Sequence, residues 1–231
     1  VSILGICDGH DAGAALVDGD GRLRFAVSEE RLTRRKHQCG FPRWSIAAAL
    51  RFAQGAGLRI ERVALAEEAG RLPFRALDRL YAGGEAPRRG GGRGRGPLSP
   101  GARLAARYSN SMARSATVSG AEAATSTALV RRRLAALGLR VPVVAVDHHL
   151  AHAWSAGVGV DERWSDALVL TLDAFGDGLA GTVSRRRGGT LERVAAWPAP
   201  AGPALLFGAL AQHLGYAEGD EGKVVARAAG G

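Results

Sequence analysis

Two stretches of this chain follow one plan. They are ILGICDGHDAGAALVDGDGRLRFAV (3–27) and ALVLTLDAFGDGLAGTVSRRRGGTLERVAAW (167–197). In each, an apolar strand ends at an aspartate, Asp8 or Asp173, and a glycine follows five positions later, Gly13 or Gly178. A second apolar strand, a Gly-rich turn and a third strand complete the unit. A unit used twice in 231 residues constrains the fold more than composition does, because each copy must form the same small meander. Chance similarity is the competing reading, and the matched Asp and Gly offsets speak against it.

A tight Gly/Asp turn between strands exposes successive backbone N–H groups that can cradle phosphate oxygens. Carboxylates beside them can hold a cation such as Mg. The candidates are Gly9 and Asp11 in the first loop, and Gly176, Asp177 and Gly178 in the second. Two such loops facing each other would grip a nucleotide from both sides, which is the logic of the actin-like architecture. His10, in the same GHDAG, can donate to a developing oxyanion or phosphate, or be an ordinary polar turn residue.

Between the two units the pattern is α/β. Residues 13–27 read as a hairpin turning at DGDG. Residues 45–58 read as a helix with Ser45 as its N-cap and glycines at its end, and 62–67 as a strand. Residues 68–118 are irregular and rich in Arg, Gly and Pro, with one short helix expected near 72–82. Residues 121–138 then predict a helix with Val130, Leu134 and Leu137 on one face and Gly138 as its stop. VPVVAV (141–146) predicts a buried strand.

The next stretch, VDHHLAHAWSA (146–156), holds three of the six histidines. On a helix His148 and His152 share a face, because residues four apart are neighbours there. Imidazoles so spaced are a common pair of metal ligands. Asp173, ending a following strand, is the best candidate for a third. The alternative is two partly buried histidines satisfied by hydrogen bonds. His149 lies off that face and reads as a supporting or structural residue.

The net charge of +9 invites a nucleic-acid reading, which we discount. Of 31 basic residues only Lys36 and Lys223 are lysines, so arginine is this chain's default cation. The densest run, APRRGGGRGRGPLSPG (86–101), has no aromatic on which bases would stack and reads as a solvated loop. Two cysteines imply no disulfide framework. No apolar run approaches the roughly 20 residues that span a bilayer. The N-terminus lacks the basic region of a signal peptide, so a cytoplasmic protein with no membrane partner is the expectation.

Five motifs in order, ILGICDGHDAGAALV, SEERLTRRKHQCGFP, VDHHLAHAWSA, ALVLTLDAFGDGLAGTV and LLFGALAQHLGYAEGDEGKV, resemble the NodU/CmcH family of O-carbamoyltransferases. The resemblance covers most of 1–67 and 141–225. It implies an actin-like, Kae1-like domain of ribonuclease-H-like subdomains, the first over 1–160 and the start of the second over 161–231. It also implies transfer of a carbamoyl group to a hydroxyl of a small molecule such as an antibiotic or nodulation factor. Carbamoyl phosphate and ATP would be used through carbamoyl-adenylate. Carried onto this chain, the family's metal, usually iron, falls to His148, His152 and Asp173. His10 matches a histidine that steadies the carbamoyl group, and Lys36 lies in a segment that contributes to the substrate pocket.

The departures matter as well. The chain ends at GKVVARAAGG, where the family reads more like GKVMGLAAYG and continues. The expectation is an incomplete second subdomain, no C-terminal YrdC-like domain, and a partner chain carrying the missing part. The alternatives are a threonylcarbamoyl transferase acting on tRNA, or a non-catalytic nucleotide- or metal-binding fragment of a broken or split enzyme.

Overall fold

The computed structural model describes residues 1–9, 11–36, 38–66, 72–76, 120–156, 165–198, 201–216 and 221–230. His10, and almost all of the irregular 68–118 stretch, lie outside the described residues.

Strands β1 (Ser2–Cys7), β2 (Gly13–Asp18) and β3 (Leu23–Ser28) form the predicted meander. Its second turn is locked by Asp18. One carboxylate oxygen accepts the N–H groups of Asp20 and Arg22, both at 3.0 Å, and Gly21 takes φ 77°. Helix α1 (Glu29–Thr33) leads to α2 (Arg43–Gly55), followed by β4 (Ile60–Ala66), α3 (Leu72–Ala76), α4 (Gly120–Ala136) and β5 (Val143–Val146). The five strands form one mixed α/β sheet in the order β3-β2-β1-β4-β5, with β1, β4 and β5 parallel.

Alternation along β1 and β2 buries Leu4, Ile6, Ala14 and Leu16 on one face. There they meet Ile46, Ala49 and Ala53 of α2 and Val130 and Leu134 of α4. Gly57 (φ 65°) and Gly138 (φ 84°) end α2 and α4 as the sequence predicts.

Two expectations change. Ser45 does not cap α2. The helix starts at Arg43, and the buried Glu29 reaches across to its first turn. Glu29 Oε1 accepts Trp44 N–H at 2.9 Å, and Oε2 accepts both the N–H and the hydroxyl of Ser45 at 2.7 Å. A carboxylate placed there satisfies more orphan donors than a serine can. The 141–146 strand is not buried throughout. Val143 is in the core, while Val144 is exposed on what is, among the described residues, an edge strand.

Helix α5 (His148–Ser155) precedes the second meander, β6 (Asp166–Gly176), β7 (Leu179–Arg187) and β8 (Thr190–Pro198), ordered β6-β7-β8. Helices α6 (Pro203–His213) and α7 (Glu221–Ala229) follow. The repeat is real, but its glycine match shifts. The last regular pair before each aspartate is Cys7↔Gly13 in one copy and Leu172↔Gly181 in the other. Gly13 therefore corresponds to Gly181, not Gly178, because the second loop is longer. Both positions exclude a side chain: a Cβ would stand 2.9 Å from Val27 O at Gly13, and 2.4 Å from the Trp197 ring at Gly181.

Candidate metal centre

Helix α5 is seated on the second meander by its own N-terminus. Asp147 accepts Leu150 N–H at 2.7 Å and is paired with Arg193 of β8. Asp177, from the β6–β7 turn, accepts His148 N–H at 2.7 Å.

The face of α5 that the sequence singles out points at β6. His148 Nε2 lies 2.7 Å from Asp173 Oδ2, and His152 Nε2 lies 3.0 Å from His148 Nε2 and 3.4 Å from Asp173 Oδ2. Asp173 sits where β6 leaves regular pairing, between Leu172 and Gly176. Its other oxygen takes Ala174 N–H at 2.6 Å, which turns Oδ2 toward the histidines. Burial pushes the Asp173 carboxyl up, but hydrogen bonds from His148, His152 and Ala174 N–H outweigh it. They hold the group well below the usual carboxylate range.

These donors fit a cation. Ligands about 2.0–2.1 Å from a shared ion stand about 3 Å from one another, and the three observed separations bracket that value. Among the described residues, they are the one group of three such side chains so placed. Two imidazoles and one carboxylate are a donor set that could hold a divalent transition metal. The His152 side chain is 51% exposed, so the centre opens to solvent on that side.

His149 has a different task. It is fully buried, with Nε2–H donating to Leu179 O at 3.1 Å and Nδ1 accepting from the Thr171 hydroxyl at 2.9 Å. Thr171 Oγ1 in turn accepts Thr182 N–H at 3.0 Å. Burial pushes the His149 imidazole below its ordinary value, so the ring is a neutral pin between α5 and the β6–β7 hairpin.

Gly9 is buried and accepts Gly40 N–H at 3.3 Å, so the first loop packs on the 38–41 segment. Asp11 is exposed with φ 52°, and Lys36 is exposed. His10 falls outside the described residues. Gly176 and Gly178 are buried, and Gly176 lies against His148. Sequence reasoning missed the fate of Asp8. It is fully buried in a two-pronged ion pair with Arg75, at 2.8 and 3.0 Å. Asp8 and Asp173 hold the same place in the repeat, yet one is bound to an arginine and the other faces two histidines.

Comparison with known proteins bears on the first sheet most directly. Residues 2–63 match the family described as carbamoyltransferase N-terminus. An uncharacterised protein of Methanocaldococcus jannaschii is 57% identical over 44 residues, 19% of this chain and 8% of that protein. Nodulation protein NolNO of Sinorhizobium fredii is 29% identical over 223 residues, 94% of this chain. The chain spans only 27% of the length of NolNO. The crystal structure of the type II variant of the Aquifex aeolicus Ppx/GppA phosphatase aligns at 12% identity and a TM-score of 0.35. It covers 86% of this chain and 52% of that one, a likeness too loose to assign the fold. No helix among the described residues is long and apolar enough to cross a membrane.

Proposed function

We propose that this chain, whose family match and likeness to NolNO support the NodU-like carbamoyltransferases, is the acceptor-side part of an O-carbamoyltransferase. The observation that carries the reading is the convergence of His148, His152 and Asp173 beside the longer loop of a repeated meander. The first sheet's order, β3-β2-β1-β4-β5, supports a ribonuclease-H-like subdomain over 1–160. The second meander supports the start of another over 161–231, the two together making an actin-like pair.

In this reading the donor is carbamoyl-adenylate, made from carbamoyl phosphate and ATP, and the acceptor is a hydroxyl of a small molecule. The hydroxyl oxygen bonds to the carbamoyl carbon while the bond to the phosphate oxygen breaks. AMP leaves with the bonding pair, and the hydroxyl proton passes to solvent. A divalent metal, Fe(II) as the family resemblance implies or another, would supply Lewis acidity that lowers the charge cost at oxygen when bound. His148, His152 and Asp173 would hold it. In the same reading the N–H groups around Gly9 and Asp11 would bind phosphate, His10 would donate to the oxygen that gains charge, and Lys36 would contact the acceptor.

The test is to incubate the purified chain with carbamoyl-AMP, Fe(II) and a panel of small polyols, and to follow AMP release and product mass. Carbamoylated product from the chain and none from His148→Ala is expected. Product in equal amount from His148→Ala, or transfer to tRNA and not to small alcohols, would sink the reading.

A further inference from the structure

The sequence offers Gly176, Asp177 and Gly178 as a phosphate cradle, yet two of these residues are engaged with His148. Gly176 backs directly onto the imidazole. A Cβ there would stand 2.1 Å from His148 Cδ2 and 2.5 Å from Nε2, closer than any real contact. Asp177 takes the His148 N–H on Oδ2. Asp177 and Gly178 have φ values of 49° and 81°, the two positive angles of a type I′ turn. That turn connects Gly176 to Leu179, which are paired across it, and Leu179 O receives the His149 ring.

We propose that this turn is a positioning device for His148. Gly176 sets the plane of the ring by contact, and Asp177 fixes the backbone from which the ring projects. Nε2 is thereby delivered to Asp173 Oδ2 before any ion arrives. The ligand Asp173 and both holding residues lie within five consecutive positions of one strand and its turn. Ligand and support therefore move together, and a preorganised donor loses less freedom on binding. Asp177 is in this role a positioning residue and not a phosphate ligand. The inference rests on the metal reading of the site.

The experiment is titration of the purified chain with Co(II), followed by its visible absorption, on wild type, Gly176→Ala, Asp177→Ala, Asp177→Asn and His148→Ala. Urea unfolding of each metal-free protein runs alongside. Gly176 is not at a positive φ, so alanine is allowed by its backbone, and all three donor side chains remain. Gly176→Ala and Asp177→Ala should bind Co(II) about 10- to 100-fold more weakly while the metal-free proteins still fold. Asp177→Asn, which keeps an acceptor oxygen, should recover most of the loss.

Wild-type affinity in Gly176→Ala and Asp177→Ala overturns the proposal, and asparagine no better than alanine overturns its hydrogen-bond half. Equal binding by wild type and His148→Ala instead removes the metal reading and this inference with it. Should Gly176→Ala fail to fold, the Asp177 variants decide alone.

Discussion

Asp8 and Arg75 meet shielded from the surface, 67 positions apart in the chain. The guanidinium grips both carboxylate oxygens and gives a third hydrogen bond to Ser126 at 2.7 Å. Taking both charges from solvent is costly, and only such complete pairing offsets it. Arg75→Met should therefore cost about 3–5 kcal/mol of folding stability, since it takes the guanidinium away from a buried carboxylate. Asp8→Asn added to Arg75→Met should restore much of that. Urea denaturation of the single and double variants measures both, and a single variant within about 0.5 kcal/mol of wild type would refute the account. This partnership was not legible in the sequence. Asp8 and Asp173 look alike there, and Arg75 is one arginine among many in a stretch without periodicity. The metal candidates were legible because their signals are local: a four-residue helical spacing, and an aspartate closing an apolar run.

Among the elements, α2 shows the same division. Its apolar stripe and its glycine end are written in adjacent residues, so the helix itself could be read. Its cap comes from Glu29, fourteen positions before Arg43, and no local rule points there. Glu29→Gln puts an amide where one acceptor oxygen stood and turns N–H toward N–H. The expected cost is about 1–2 kcal/mol, against a few tenths for Glu192→Gln, at an exposed position on β8. Chemical denaturation monitored by helical circular dichroism compares the two. The shift of the repeat's glycine from Gly178 to Gly181 has a similar origin. Counting from the aspartate measures chain length, while strand register is set by pairing across the hairpin.

For the whole molecule, the metal reading makes a thermodynamic prediction. An ion bound only by the folded state adds about 2.7 kcal/mol at a hundred times its dissociation constant. Fe(II) or Co(II) should raise Tm for wild type, a chelator should reverse it, and His148→Ala should show neither effect. Differential scanning calorimetry decides, and an unchanged wild-type Tm at saturating metal would count against the site. At the same scale, β6 is an edge strand among the described residues, with Leu168, Leu170 and Leu172 exposed on one face. Leu206, Leu210 and Leu214 are exposed on and just beyond α6.

These anchoring contacts also differ in how much chain they close. Asp8 reaches Arg75 across 67 residues, whereas His148 meets Asp173 across 25 and His149 meets Leu179 across 30. Shorter loops cost less entropy to close and tend to form earlier. The histidine helix and its hairpin can therefore assemble while β1 still awaits β4 and Arg75. An ion caught at that stage would act mainly on the refolding rate, because a contact already made in the transition state leaves unfolding little changed.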